Sequence, residues 1–107
     1  MKPDHTPIES LAQHVGQQVT LRGWLYNKRS SKGLHFLVLR DGTGLIQCVV
    51  NEGEVDAVSW EGASEATQET SLELKGLIRE DERQVGGVEM QVTELKVGER
   101  LWEDLKT

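Results

Sequence analysis

The chain has 107 residues, enough for one domain with a modest hydrophobic core. It carries 12 Lys and Arg against 18 Asp and Glu, and this net charge of −6 argues against non-specific binding of nucleic acid over the whole surface. The lone Cys48 excludes a disulfide framework, and the absence of an apolar signal core and of a run of ~20 apolar residues indicates a cytoplasmic protein with no membrane partner.

The N-terminal region predicts a short helix. Thr6 is the expected cap, Pro7 suits the first helical position, and Glu9 completes a capping box. Apolar residues recur at helical spacing, and Gly16 predicts the end of the helix. These apolar residues are Ile8, Leu11, Ala12 and Val15.

Five strands are predicted next, because apolar and polar residues then alternate. Residues 27–33 are expected to form a polar loop after the first strand, and residues 41–44, DGTG, form a hairpin turn. A further turn is expected at residues 85–87. The apolar phase shifts between Val92 and Leu95, which predicts a bulge in the fifth strand. The predicted strands cover about residues 19–26, Leu34–Arg40, Leu45–Asn51, Ser71–Glu80 and Val88–Val97.

Residues 54–67 predict a short acidic helix between the third and fourth strands, with Val55, Val58, Trp60 and Ala63 facing the core. This order of elements indicates an all-β, five-stranded Greek-key barrel of the OB type. One such domain is predicted for residues 1–107, with its core at about 8–97 and a tail that adds a partial helical turn around Leu101, Trp102 and Leu105. An SH3-like barrel is the alternative, although it leaves the acidic insert unexplained.

No catalytic or metal site is predicted. His5, His14 and His35 are scattered, and one cysteine cannot build a zinc site. Ser30 and Ser31 lie near His35 in the sequence but no acid is placed to orient the histidine, and Cys48 is interpreted as a small core residue. The sequence therefore predicts a binding surface.

One basic, aromatic segment, residues 23–50, stands out in this acidic chain. It contains Lys28, Arg29, Lys32 and Arg40, with a partly exposed His35, against the single acid Asp41, whereas residues 51–82 carry ten acids and two bases. Strand alternation assigns Phe36 and Gln47 to one outer face. The residues assigned to the core are Leu21, Leu25, Leu37, Leu39, Ile46, Cys48, Val50, Leu74 and Ile78.

An outward phenylalanine beside a glutamine and arginines suits single-stranded nucleic acid. The ring can stack on a base, the amide can bind a base edge, and the cations can meet phosphates. The alternative is the opposite parity, with Phe36 buried in the barrel. Trp24 and Tyr26 could belong either to the core or to the surface.

The blocks GWLYNKRSS and LRDGTGLIQ resemble the N-terminal anticodon-binding domain of class IIb aminoacyl-tRNA synthetases, and they are most similar to the asparaginyl enzymes, with the aspartyl enzymes next. The resemblance covers residues 8–97 and implies an OB fold that binds a tRNA anticodon loop. The three class II catalytic motifs are missing, so it implies no enzyme activity and no cofactor in this chain, because ATP and Mg²⁺ would belong to the catalytic domain. That domain is the second expected partner if the chain is a fragment; an engineered domain and a free-standing protein are the other origins left open.

The resemblance also implies roles for individual residues. Phe36 matches the aromatic residue that stacks on the central uridine of the anticodon, and Gln47 matches the glutamine that reads it. Arg29, Arg79 and Glu89 match further RNA-binding positions.

Lys28 is expected to meet backbone phosphates beside Arg29.

Two other functions remain open for the domain. A sequence-tolerant single-strand binder would show little base preference, and a protein-interaction module on an OB scaffold would show no RNA affinity at low salt.

Overall fold

Five β-strands close into a barrel in the order β1-β2-β3-β5-β4 in a computed structural model, which describes residues 5–84 and 86–98. β3 and β5 pair in parallel, and the other neighbouring strands, including β1 and β4, pair antiparallel. The predicted OB barrel is confirmed. The strands are β1 (Gln18–Ser31), β2 (Leu34–Arg40), β3 (Leu45–Asn51), β4 (Ser71–Glu80) and β5 (Val88–Val97).

β1 is longer than predicted, and the expected loop at residues 27–33 is wrong. The first half of β1 pairs with β4 and its second half pairs with β2, as far as Ser31. Pairing with β2 supplies hydrogen-bond partners for the backbone N–H and C=O groups of this polar stretch. Strand propensity alone did not predict a strand here. A bulge at Tyr26 separates the Leu25–Leu39 pair from the Asn27–Val38 pair.

The barrel interior is aliphatic, as the alternation predicted. All the predicted core leucines, isoleucines and valines of the strands are buried, and Cys48 is buried with them. These residues are Leu21, Leu25, Leu37, Leu39, Ile46, Val50, Leu74 and Ile78. The predicted bulge in β5 is also confirmed, because Lys75 pairs with Glu94 whereas Gly76 pairs with Val92, which leaves Thr93 unpaired.

The N-terminal helix is a 3-10 helix, Ile8–His14, and its predicted cap at Thr6 is wrong. The β2–β3 turn caps it instead: the backbone N–H of Ile8 donates to Asp41 Oδ2 (2.8 Å), and that of Glu9 donates to Thr43 Oγ1 (3.1 Å). Burial raises the pKa of Asp41, but the hydrogen bonds from Thr43, Ile8 and Gly44 outweigh it, so the pKa lies below its usual value.

One α-helix, α1 (Ala57–Glu65), lies between β3 and β4, after a 3-10 turn at Glu52–Glu54. The predicted core position of Val58 is wrong, since its side chain is 66% exposed, whereas Ala63 is buried as predicted. The buried face consists of small residues because the helix lies close to β5: a Cβ on Gly62 would come within 2.8 Å of Leu95 Cδ2. Ser59 Oγ accepts a hydrogen bond from Leu95 N (2.9 Å).

Asp81, Gln84 and Gly87 form the turn between β4 and β5 through backbone hydrogen bonds. The helical turn predicted around Leu101, Trp102 and Leu105 lies outside the described residues. Within residues 5–84 and 86–98, no helix has the length and apolar character that crossing a membrane requires.

Candidate nucleic-acid interface

Five side chains form a row across the outer face of the barrel. Arg29 on β1 pairs with Phe36 on β2. Val38 lies two residues after Phe36 on β2 and pairs with Gln47 on β3. Gln47 in turn pairs with Glu89 on β5, and Glu89 pairs with Arg79 on β4. This arrangement, called the reading row below, brings together Arg29, Phe36, Gln47, Glu89 and Arg79. The alternative parity is wrong, because the neighbours of Phe36, His35 and Leu37, are the buried residues.

Phe36 and Arg29 form a cation–π pair at one end of the reading row. The guanidinium carbon of Arg29 lies 5.2 Å from the centroid of the phenylalanine ring, within the ~6 Å reach of this interaction. Phe36 is half-buried and Arg29 is exposed. The pair presents an aromatic ring with a positive charge at its side, which suits a stacked base and its phosphate.

Gln47, Glu89 and Arg79 form a hydrogen-bonded chain at the other end. Gln47 Nε2 donates to Glu89 Oε2 (3.4 Å), and Arg79 Nη2 donates to Glu89 Oε1 (2.7 Å). Because an ionised carboxylate only accepts hydrogen bonds, Glu89 fixes the amide of Gln47 with its nitrogen toward β5 and leaves its oxygen available.

Lys28 is not part of the reading row, and three contacts of its ammonium within the domain compete with the phosphate contact expected from the sequence. Its ammonium lies at the C-terminal end of α1 and donates to the carbonyl oxygens of Ala63 (3.3 Å), Ser64 (2.9 Å) and Ala66 (2.7 Å). These three bonds use all three ammonium donors, and the negative end of the helix dipole favours the charge there. Lys28 therefore joins β1 to α1.

His35 is buried, with 8% of its surface exposed, and not partly exposed as expected. Its Nδ1 shares a hydrogen bond with Ser30 Oγ (2.7 Å) and its Nε2 with Ser64 Oγ (2.9 Å), and the ring stacks on Trp60 with 4.4 Å between centroids. Burial lowers the pKa of His35, the charge of Lys28 lowers it further, and Glu52 opposes both. The position could have been found from the sequence, because His35 has the strand parity of Leu37 and Leu39.

Trp24 and Tyr26 lie at the surface, with 44% and 47% of their areas exposed. This result settles the question that the sequence left open for both residues. The guanidinium carbon of Arg40 lies over the Trp24 ring, 5.9 Å from its centroid. The sequence had given neither Trp24 nor Tyr26 a specific role. The signal available in the sequence was the occurrence of both aromatics within the basic segment.

The described part of the chain contains no cluster of three or more His, Cys, Asp or Glu side chains that could hold a metal ion. Cys48 is fully buried, and burial, followed by the charge of Glu89, raises the pKa of its thiol. A thiol that stays protonated is a poor nucleophile, in agreement with the core role expected from the sequence.

Comparison with known sequences gives the same family from the family model and from individual relatives. Residues 19–97 match the tRNA anticodon family, described as an OB-fold nucleic acid binding domain. Asparagine–tRNA ligase of Thermus thermophilus is 48% identical over 93 residues, and that of Desulforamulus reducens is 47% identical over 92 residues. The first match covers 87% of this chain and the second 86%, but each covers only 21% of the ligase.

Solved structures agree with the sequence matches. Asparaginyl-tRNA synthetase from Pyrococcus horikoshii, complexed with asparaginyl-adenylate, is 31% identical with a TM-score of 0.82, over 90% of this chain and 22% of that one. An OBody, AM1L10, bound to hen egg-white lysozyme has a TM-score of 0.72 at 17% identity over 91% of this chain and 96% of its own, which shows the shared fold alone.

The resemblance inferred from the sequence motifs is thus confirmed, while the chain spans about a fifth of the length of the ligases that it matches. The family match covers all five strands except the first residue of β1. The chain belongs to the OB-fold nucleic acid binding domains of the tRNA anticodon family and is homologous to the N-terminal anticodon-binding domain of asparagine–tRNA ligases.

Proposed function

We propose that this domain binds the anticodon loop of an asparagine-type tRNA through the reading row and recognises the central uridine. In this proposal it works in the cytoplasm as the RNA-binding part of a synthetase, and a separate catalytic domain carries out aminoacylation. The observation that carries the proposal is the hydrogen bond from Gln47 to Glu89, which orients a base-reading amide beside the half-buried ring of Phe36.

Phe36 supplies the stacking surface. A base lying on its exposed side would be held by the ring, which is worth ~1–3 kcal/mol in single-strand binding. Arg29 at 5.2 Å from the ring centroid is placed to meet the phosphate of the same or the next nucleotide. Stacking tolerates any base, so this half of the reading row provides affinity without selectivity.

Gln47 supplies the selectivity. With one N–H of its amide directed to Glu89, the amide offers an oxygen acceptor and one further N–H donor. Uridine presents the complementary pair, an N3–H donor and an O4 acceptor. Cytidine presents an N3 acceptor and an N4 donor, which would require the amide to flip and to direct its oxygen at the Glu89 carboxylate. Repulsion between these oxygens disfavours cytidine.

The test is a titration of the domain with an anticodon stem-loop carrying GUU, beside the same stem-loop carrying GCU. For Gln47→Ala we expect the preference for uridine over cytidine to fall by about 1–3 kcal/mol, the size of a bidentate base contact. Phe36→Ala should weaken both stem-loops by roughly 1–3 kcal/mol and leave their ratio nearly unchanged. Gln68→Ala, an exposed glutamine that lies outside the reading row, is the matched control.

Two results would contradict the proposal. If folded Gln47→Ala keeps the full uridine preference, the domain is better described as a sequence-tolerant single-strand binder. If the wild-type domain binds neither stem-loop at low salt, where contacts to phosphates are strongest, the protein-interaction module becomes the better description.

A further inference from the structure

The pairing of an arginine with an aromatic ring occurs twice on the β1–β2 ladder. Arg29 and Phe36 are directly paired, with 5.2 Å from the guanidinium carbon to the ring centroid. Trp24 and Arg40 are also directly paired, at 5.9 Å. In the second pair the strands exchange roles, since β1 supplies the aromatic ring and β2 the arginine.

Both pairs lie on the same outer face of the barrel. Phe36 and Arg40 are four residues apart on β2 and therefore share a face. On β1, Trp24 and Arg29 are five residues apart, which would place them on opposite faces of a regular strand. The bulge at Tyr26 adds the one residue that brings them to the same face.

The Trp24 surface is open in the described part of the domain. Trp24 is 44% exposed, and the bulged Tyr26 beside it is 47% exposed. Arg40 has one ion pair there, to Glu69 at 3.4 Å, and both of these side chains are well exposed. Exposed ion pairs of this kind are weak and are screened by salt, so a phosphate can displace the carboxylate.

We propose that Trp24 and Arg40 form a second stacking position for another nucleotide of the same RNA strand, continuous with the reading row. This inference rests on the proposed function. Four residues of β2 separate the two positions by about 13 Å at ~3.3 Å per residue, far more than the ~3.4 Å between stacked nucleotides. The two bases therefore do not stack on each other, as expected for single-stranded loops whose bases are splayed onto aromatic side chains.

The experiment measures binding of the GUU anticodon stem-loop to wild type and to Trp24→Ala, Trp24→Phe, Phe36→Ala and Val58→Ala. Val58 is the matched control because it is an exposed apolar residue on α1, outside this face. We expect Trp24→Ala to weaken binding about tenfold, within the range of one lost stacking contact, and Trp24→Phe to recover most of the loss. Val58→Ala should bind like wild type.

Stem-loops carrying 2-aminopurine at single loop positions locate the second base. Its fluorescence should be quenched at one position other than the central base, and the quenching should disappear in Trp24→Ala while it persists in Val58→Ala. Should Trp24→Ala fail to fold, Arg40→Gln tests the same position: the slope of log affinity against log salt should fall by about 0.7, the value for one phosphate on a single strand.

Glu69→Gln gives a change of opposite sign. Removing the carboxylate frees Arg40 and takes a negative charge away from the expected phosphate. We expect RNA affinity to rise about two- to fivefold, the equivalent of one exposed ion pair.

The outcomes separate the two proposals. If Phe36→Ala weakens binding while Trp24→Ala, Arg40→Gln and Glu69→Gln all bind like wild type, the second stacking position is wrong and the reading row stands. In that case the Trp24 surface is better interpreted as a protein contact. If neither Phe36→Ala nor Trp24→Ala weakens binding, the proposed function itself fails.

Discussion

Glu89 orients the amide of Gln47 and, under the proposed function, determines which base that amide recognises. Its carboxylate is almost fully buried, accepts from Gln47 at 3.4 Å, and is paired with Arg79 at 2.7 Å. A buried carboxylate without a partner would be costly, and Arg79 supplies that partner. Under the proposed function, Arg79 acts on base recognition through Glu89, and the selectivity of the reading row belongs to the three residues together.

Replacing Glu89 by glutamine should relax the base preference. A glutamine at this position can either accept or donate, so the amide of Gln47 is free to flip and accommodate cytidine. We expect the uridine-to-cytidine ratio of Kd values for Glu89→Gln to fall by about tenfold, or ~1.4 kcal/mol. Glu94→Gln is the control, because Glu94 lies on the same strand but forms its ion pairs, with Lys75 and Lys96, at the solvent-exposed surface. This variant should keep the wild-type ratio. An unchanged ratio in folded Glu89→Gln would show that the carboxylate does not orient the amide.

At the scale of elements, the outward and inward faces of the β1–β2 hairpin carry residues with different contacts. Its outward residues, Arg29 and Phe36, belong to the reading row. Its inward residues, Lys28 and His35, hold the C-terminal end of α1 through hydrogen bonds to Ser64 and its neighbours. Because adjacent residues on a strand point to opposite faces, the docking of α1 supports the backbone that carries Arg29 and Phe36 of the reading row.

Most strands could be predicted from the sequence, because local features determine them. β2, β3, β4 and β5 follow from apolar alternation and turn residues, and the core follows from the same alternation. The extension of β1 to Ser31 could not be predicted, because its polar residues are in a strand only through pairing with β2.

Contacts between residues distant in sequence were missed for the same reason. Asp41 caps a helix 33 residues away, and Lys28 binds carbonyls 35 to 38 residues away. The small buried face of α1 carries no apolar periodicity, so Val58 was placed in the core and Ser59 and Gly62 were overlooked. The residues of the reading row were predicted from the family resemblance, and strand parity placed Phe36 and Gln47 on the outer face. Neither the resemblance nor strand parity indicated a pairing of Trp24 with Arg40.

Lys28→Met tests the structural role of the ammonium. Methionine retains an apolar stem but leaves the carbonyls of Ala63, Ser64 and Ala66 without their donor. We expect the free energy of unfolding to fall by about 1.5–3 kcal/mol, the range for hydrogen bonds to a charged group, as measured by urea denaturation. The salt dependence of RNA binding should not change.

Arg29→Gln is the complementary variant, because Arg29 is exposed on the opposite face of the same strand. It should change stability by less than about 0.5 kcal/mol and lower the salt slope by about 0.7. A lower salt slope in Lys28→Met would instead support the expectation from the sequence that this lysine meets a phosphate.

His35 should make stability depend on pH. Its pKa in the folded domain lies below the ordinary 6.5, because burial and then Lys28 disfavour the imidazolium. The unfolded chain therefore binds a proton near pH 6.5 that the folded domain does not bind until lower pH. The free energy of unfolding should be highest above pH 6.5 and should decrease as the pH falls, by at most about 1.4 kcal/mol per pH unit.

His35→Gln removes this titration. Urea denaturation of wild type and variant between pH 7.5 and 5.0 should give a smaller pH dependence for His35→Gln. Equal slopes in the two proteins would show that His35 is as easily protonated in the folded domain as in the unfolded chain.

At the scale of the whole molecule, closure of the barrel places a basic segment of the sequence beside an acidic one. The segment of residues 18–40 has five Lys and Arg and no acid, and it forms β1 and β2. The segment of residues 51–82, with ten acids, supplies α1 and β4. Closure of β1 against β4 brings the two segments together, as the ion pair between Arg22 and Glu73 (2.8 Å) shows. The reading row itself carries two arginines against the single carboxylate of Glu89, so the net charge of −6 does not describe it. Under the proposed function, the acidic remainder limits binding of the domain to other RNA.

Closure also requires the backbones of β4 and β5 to approach closely at the β5 bulge. A Cβ on Gly76 would come within 2.2 Å of the Gln91 carbonyl oxygen and 2.8 Å of Met90 Cγ. The first of these contacts is with backbone, so a side-chain rotation cannot relieve it, and the two strands would have to separate. Gly76→Ala should therefore lower the free energy of unfolding by about 3 kcal/mol, the upper part of the usual range for overpacking, as measured by urea denaturation. Gly53→Ala is the matched control, because its Cβ would meet only Asn51 Oδ1, at 3.6 Å, and it should shift stability by less than about 0.5 kcal/mol. If both variants unfold at the same urea concentration as wild type, β4 and β5 do not approach as closely as the barrel described here requires.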